Sequence, residues 1–300
     1  MKIIVQFSGG KDSQACLIKA VNDYGKDNVT AIFCDTGWEH PCTYDHIKYV
    51  VENLGVQLIT LRNEKVGSFQ NLCKQMKCFP VASRRACTAV LKIEPMIDWV
   101  VNQNDSLIII QGIRAMESKS RSEMLVECSY FKDYYIRIIG KNGKEKWAED
   151  YHRTKVLKWC ETHDASVLRP IFKWSAQDVI DYILKNGQKP NPLYSKGASR
   201  VGCFPCIMSR FSDIRMLSKD KEMKYRLINL EKEVDSLGHK KTASFFSKGT
   251  IPERFCIEYG DGCPTAKEVI DYVTRNDDVP DMFEPEGGYS CMSLFHGLCE

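Results

Sequence analysis

Two stretches of this sequence place reactive residue types at spacings that chemistry can use. In the first, Ser8-Gly9-Gly10-Lys11-Asp12-Ser13 lies between an apolar run, Lys2 to Phe7, and a segment with helical spacing, Asp12 to Asp23. Paired glycines let a backbone approach a polyphosphate, and the start of a following helix turns unpaired N–H groups and a positive dipole end toward the anion. Ser8 and Ser13 add hydroxyl donors, and Lys11 adds a mobile charge. Asp12 would cap the helix or help hold magnesium. The spacing is not that of a Walker A loop, and a ligand-free glycine-rich turn is the plainer alternative. The second stretch is the Cys-x-x-Cys loop Gly202-Cys203-Phe204-Pro205-Cys206. Its spacing suits zinc, an iron–sulfur cluster or a redox pair, with a reduced, unliganded pair as the plainer alternative. Ser83-Arg84-Arg85-Ala86-Cys87-Thr88, with Lys92 one turn on, concentrates cations. Arg84 or Arg85 would grip a phosphate or sulfate bidentately, and cations beside Cys87 would depress its thiol pKa.

The elements that must position these residues alternate between strand and helix. Lys2 to Phe7, Val29 to Cys34, Val56 to Leu61 and Leu107 to Gln111 are short and aliphatic, the pattern of parallel strands buried on both faces. Helices are expected over Asp12 to Asp23, Tyr44 to Leu54 and Pro95 to Asn102. This alternation predicts a doubly wound, mostly parallel α/β sheet, with ligands outside the carboxyl ends of its strands. The loops after Phe7, Cys34, Leu61 and Gln111 are therefore expected to line one pocket. Tyr134 to Ile139 is expected to pair across Gly140-Lys141-Asn142-Gly143 as a surface excursion. Ser175 is expected to cap a helix running to Leu184, Phe211 to Leu237 to form one charged helix, and Ala266 to Thr274 another. The expected division is residues 1–210 for the nucleotide-binding domain and 211–300 for a smaller helical, Cys-containing region.

Composition limits the alternatives. The 300 residues are 43% hydrophobic and 27% charged, globular values that exclude a disordered tail protein, a collagen or a coiled coil. Forty-two basic and 39 acidic residues balance to +3, too even to mark a nucleic-acid partner by charge alone. The basic stretch with His239, Lys240, Lys241 and Lys248 reads most simply as a solvated face. No apolar run approaches the ~20 residues that span a bilayer. The opening Lys2-Ile3-Ile4-Val5 leaves no room for an apolar leader core before the glycine loop, so the expected location is the cytoplasm. Fourteen cysteines there would be reduced, most of them, such as Cys16, Cys34 and Cys160, as small buried hydrophobes.

Four motifs in order give a resemblance. Ser-Gly-Gly-Lys-Asp-Ser resembles the PP-loop of ATP pyrophosphatases. Cys34-Asp35-Thr36-Gly37-Trp38-Glu39-His40-Pro41-Cys42-Thr43-Tyr44 resembles the acidic loop of the phosphoadenosine phosphosulfate (PAPS) reductase family. Gly112-Ile113-Arg114-Ala115-Met116-Glu117-Ser118 with Arg121 resembles its second anion loop. Pro170 to Val179, followed by Asn191-Pro192-Leu193-Tyr194, resembles its C-terminal signature. The likeness covers about residues 1–210. It implies a Rossmann-like adenine nucleotide alpha-hydrolase fold, with ATP or an adenylyl sulfate on Ser8, Gly9, Gly10, Lys11, Asp12 and Ser13, and Gly112, Arg114 and Arg121 as further phosphate or sulfate contacts. Asp35 is then assigned to magnesium or to the nucleotide. Lys11, Asp12, Arg114 and Arg121 are the expected catalytic residues. In the adenylyl-sulfate-reducing branch, the resemblance implies a 4Fe-4S cluster on a Cys-Cys pair and a Cys-x-x-Cys pair. Here the first pair is Ala86-Cys87, so the expected ligands are Cys87, Cys203, Cys206 and, from the tail, Cys291 in preference to Cys256, Cys263 or Cys299. Zinc on the same thiolates is the alternative. The tail reads His296-Gly297-Leu298-Cys299-Glu300, not the Glu-Cys-Gly-Leu-His nucleophile motif of the reductases. The intact glycine loop suits a polyphosphate, which favours adenylating relatives: the ATP sulfurylase small subunit and sulfur-inserting enzymes acting on tRNA or DNA. The readings carried forward are α-phosphate activation with pyrophosphate release coupled to sulfur transfer, thiol-dependent adenylyl-sulfate reduction, and a nucleotide-sensing or iron–sulfur scaffold without turnover. A partner protein, a nucleic-acid acceptor and a homo-oligomer remain open as partners.

Overall fold

The structure, a computed structural model, describes residues 2–140, 143–238 and 242–275. The chain forms two compact units, each built from separated segments: residues 1–34, 45–61 and 94–190 in the first, and 35–44, 62–93 and 191–300 in the second. The division expected after residue 210 falls inside the second unit, because two segments from the first half of the chain, residues 35–44 and 62–93, belong with the later helices.

The first unit contains a sheet of six strands in the order β3-β2-β1-β4-β8-β5. These are β1 (Lys2–Gln6), β2 (Val29–Cys34), β3 (Gln57–Leu61), β4 (Leu107–Gln111), β5 (Glu127–Ser129) and, after a separate antiparallel hairpin of β6 (Arg137–Ile139) and β7 (Glu145–Trp147), β8 (Ala165–Leu168). Every pairing in the sheet is parallel except that of β5 on β8. The alternation of side chains along each strand divides the aliphatic runs between two cores. Ile3, Val5, Ala31, Phe33 and Ile110 face a layer formed by helices α1 (Lys11–Tyr24), α2 (Pro41–Leu54) and Ala176–Lys185. Ile4, Ile32, Leu107 and Ile109 face Met96, Val100, Phe131 and Trp159 on the other side. That two-sided burial is why these strands read as continuous apolar runs. The strand order reverses between β1 and β4, which places the topological switch point, where α/β sheets bind ligands, at the carboxyl ends of those two strands.

The second unit is helical. Its core gathers Trp38, Phe69, Leu72, Leu91, Leu217, Leu227 and Val269. The expected single helix over Phe211 to Leu237 is two, Phe211–Lys219 and Lys221–Ser236. Asp220 separates them. Its carboxylate accepts from the Met223 amide at 3.0 Å and lies 3.1 Å from His40 Nε2, a capping role that a short acidic side chain fills better than a helix interior.

Histidine 46 gives the first unit a pH signature. Buried on α2, it donates from Nε2 to Gln14 Oε1 at 3.1 Å, while the Gln14 amide nitrogen is used by Lys189 O at 2.9 Å. Burial lowers its pKa to about 4. The folded state therefore refuses a proton that the unfolded chain accepts near 6.5. Stability should be complete above pH 6.5 and fall by on the order of 2 kcal/mol as pH drops toward 4. Thermal melts across that window should show the loss in the native protein and a flattened slope in His46→Gln; equal slopes would remove His46 from the acid response.

Candidate functional site

The Ser8–Ser13 loop extends β1 by one bond, Phe7 N–H to Ile32 O at 2.8 Å, and then turns through Gly9 at φ +77°. That angle is a left-handed conformation that glycine adopts without a steric cost. Ser13 closes the loop: its hydroxyl donates to Gly10 O at 2.9 Å and accepts from Ser8 N–H at 3.2 Å. Gly10 is the N-cap of α1 and supplies no side-chain cap. No cap side chain therefore competes with an anion for the first-turn amides. Two expectations change here. Lys11 is not a mobile surface charge; it is 0% exposed, with Nζ 2.9 Å from Asp12 Oδ2. Asp12 does not cap the helix, because its second oxygen accepts from Arg114 Nε. Burial opposes the Asp12 charge, but Lys11 and Arg114 together hold its carboxyl below the ordinary carboxylate value.

Arg114 is brought there by the loop after β4. Gly112 lies so close to α1 that a β-carbon would stand 2.7 Å from the Asp12 carbonyl carbon and 2.7 Å from the Ser13 nitrogen. The Arg114 amide donates to Glu117 Oε2 at 3.0 Å, and the same carboxylate receives Arg121. Arg121 is thus tied within its own loop and partly exposed.

The second unit collects the acidic loop and the thiols. Asp35 accepts from Gly37 N–H and Tyr44 Oη, each at 2.8 Å, and from Arg62 after β3. Burial pushes its pKa up, but Arg62, the Gly37 amide and Tyr44 outweigh this and hold it low. Magnesium would have to displace those donors. Glu39, 2% exposed, accepts from the Thr36 hydroxyl at 2.7 Å, from Tyr44 Oη at 3.1 Å and from Cys203 Sγ at 3.7 Å. A β-bridge joins Glu39 to Cys203, and Phe204 N–H donates to Trp38 O at 2.8 Å. Arg226 braces the loop from above, its guanidinium carbon 4.0 Å from the Trp38 ring centroid and its nitrogens on Gly37 O and Glu39 O. Glu39, Arg62 and Arg226 were not singled out by sequence reasoning. The motif around Asp35 pointed toward Glu39, but nothing marked the two arginines.

Arg84 and Arg85 are exposed in the second unit, Arg85 in a left-handed turn at φ +38°, and neither side chain makes an ion pair among the described residues. Cys87 departs from its expected low pKa. Burial raises it, and the neighbouring Cys206 raises it further, against a smaller opposing effect from Lys92. Burial likewise pushes Cys203 up to about 11. Cys206 receives Arg200 at 3.2 Å. The thiols suit a thiophilic metal by chemistry, but among the described residues no three His, Cys, Asp or Glu side chains converge to hold an ion. Cys291 lies outside the described residues, as do Cys299, His239, Lys240 and Lys241. Among the described residues no helix is long and apolar enough to cross a membrane.

The fold is a mostly parallel α/β sheet with a glycine loop, a buried lysine and a converging arginine at its switch point. Residues 2–209 match the phosphoadenosine phosphosulfate reductase domain, and the chain belongs to that family. It is 28% identical to the uncharacterized 37.8 kDa protein in the gpa 5′ region of Escherichia phage 186, over 84% of this chain and 80% of that protein. It is 25% identical to the adenosine 5′-phosphosulfate reductase of Streptomyces coelicolor, over 59% of this chain and 61% of that enzyme. Another relative, from Methanocaldococcus jannaschii, is 28% identical, but the match spans only 38% of its length. Among solved structures, PAPS reductase from Candida auris superposes with a TM-score of 0.46 at 17% identity, over 69% of this chain and 83% of that one. The U34-tRNA thiolase NcsA of Methanococcus maripaludis, with its [4Fe-4S] cluster, gives 0.40 at 18% identity, over 79% and 68%.

The contact at Gly112 sets a test. Gly112→Ala should force the loop off α1, with a stability loss of about 1–3 kcal/mol typical of overpacking, and should weaken phosphate or nucleotide binding by displacing Arg114. Calorimetric titration with ATP beside a thermal melt would show both effects; wild-type values in both would mean the close approach is not required.

Proposed function

We propose that this chain binds an adenine nucleotide on the Ser8–Ser13 loop and uses it in sulfur chemistry, with ATP as the substrate and pyrophosphate as a product. The observation that carries the reading is the intact loop with Lys11, Asp12 and Arg114 gathered at its rim. In this reading an acceptor oxygen attacks the α-phosphate, the bond from the α-phosphorus to the bridging oxygen breaks, and pyrophosphate leaves. Phosphate oxygens compete with Asp12 for Lys11 and Arg114, which then stabilise the charge that builds on the phosphates. Both cations are held at the loop by Asp12, so the exchange is confined to that one carboxylate. The expected thiol donors for a 4Fe-4S cluster or zinc are Cys87, Cys203 and Cys206, with Cys291 as fourth. Such a group would supply a site for binding or reducing sulfur. Anaerobic purification with iron, sulfide and zinc analysis tests that donor set.

Thiol-dependent reduction of an adenylyl sulfate is the second reading, favoured by the similarity to the Streptomyces coelicolor reductase. The two are separated by products. Incubation with ATP should release pyrophosphate, whereas incubation with labelled adenylyl sulfate and a thiol reductant would release sulfite under the second reading. Neither product would leave a nucleotide-binding scaffold. The double substitution Lys11→Ala with Asp12→Ala should abolish ATP binding, at least a hundredfold in Kd, with an unchanged circular dichroism spectrum. Undiminished affinity in that folded variant would sink the assignment of the loop.

A further inference from the structure

We infer that Arg169, a residue outside every motif considered above, is a positioning residue that holds the Arg114 loop against the phosphate loop; the inference rests on the nucleotide-binding reading. Arg169 follows β8 and is 2% exposed. Its partners are all neutral: Nη1 donates to Leu125 O and lies 3.4 Å from Cys128 Sγ, and Nη2 donates to Gln111 Oε1 at 3.0 Å. Nε has no partner. A residue needed only to fill this space would be apolar, since burying a charge without a counter-ion is unfavourable. A guanidinium offers something an apolar side chain does not, a rigid planar fork that fixes two separate chain segments at set distances.

The two segments are the ends of one strap. Residues 112–126 leave β4 and return to the sheet edge at β5. Burial does not hold this strap, because Met116 is 74% exposed and Leu125 65%. Polar anchors do. At its start, Gln111 is gripped by Arg169 and donates to Gln6 Oε1 at 3.1 Å. At its end, Leu125 O receives the Arg169 side chain, and Val126 O receives the Arg169 amide at 2.9 Å. The same β8 loop accepts the Ala115 amide at Phe172 O, 2.8 Å away. Between these anchors the strap carries Gly112, pressed on Asp12 and Ser13, and Arg114, paired with Asp12. None of these hydrogen bonds reaches the phosphate loop itself. Its influence on an anion there must run through Gln111, Gly112 and Arg114.

A double-mutant cycle separates that role from simple stabilisation. Mg·ATP Kd and thermal midpoint are measured for wild type, Arg169→Met, Arg114→Ala and the double variant. The expected result is about a tenfold weaker Kd for Arg169→Met in the wild-type background and less than twofold in the Arg114→Ala background, which would give a coupling of roughly 1 kcal/mol. The thermal midpoint should fall alike in both backgrounds. Equal loss of affinity in both backgrounds, or no loss in folded Arg169→Met, would overturn the inference. If Arg169→Met does not fold, Gln111→Met removes the Nη2 acceptor and enters the same cycle with the same criteria. Lys11→Ala with Asp12→Ala serves as the control: if that variant binds ATP normally, the nucleotide reading itself fails, whereas a failed cycle beside a dead control removes only the role of Arg169.

Discussion

Between Gly112 and the first turn of α1 there is no space for a β-carbon, and much of the first unit is arranged around that closeness. β1 and β4 are neighbours in register, Gln6 opposite Gln111, so the chain leaves the sheet at the same level from both strands. One exit becomes the glycine loop and turns into α1. The other has to pass the start of that helix at backbone distance. Only then does Arg114 reach Asp12, two residues further on. Glycine at 112 and the left-handed turn at Gly9 thus serve different ends. One permits an approach between segments, and the other permits a turn within a segment.

The charges at this junction are already engaged with one another. Asp12 occupies both Lys11 and Arg114, so each cation already has a counter-ion. Such pairing keeps two buried cations solvated by protein, where leaving them unanswered would be far more costly.

The sheet was legible in the sequence because two-sided burial leaves an unmistakable aliphatic run, and β2 and β4 fall on their expected residues. The turn at Ser8–Ser13 was legible because paired glycines between an aliphatic strand and a helical pattern mark a strand-to-helix turn. The division into units was not, because it depends on which loops pack with which helices, a long-range outcome that local pattern does not encode. Asp220 escaped notice within a charged run because a capping aspartate and a solvated one look alike in sequence. The same holds for Arg169, 2% exposed: in one dimension a buried guanidinium cannot be distinguished from the many arginines that face water. The pKa of Cys87 was misjudged for a related reason. Its neighbours in sequence are cationic, but its thiol is buried, and burial dominates.

The thiol loop shows that proximity to a functional motif can be structural in origin. Cys203 is bridged to Glu39, Phe204 bonds to Trp38, the Trp38 indole donates to Pro205 O at 2.9 Å, and the Cys206 amide donates to Ser209 Oγ at 3.0 Å. Small metal-dependent modules take their folding energy from the ion and are unfolded without it. Here four polar anchors and the buried Trp38 also hold the loop. The acidic loop holds the backbone of the Cys-x-x-Cys segment. The Asp35 motif and the Cys-x-x-Cys motif, far apart in sequence, are therefore one structural object, and a substitution at Glu39 or Trp38 acts on both.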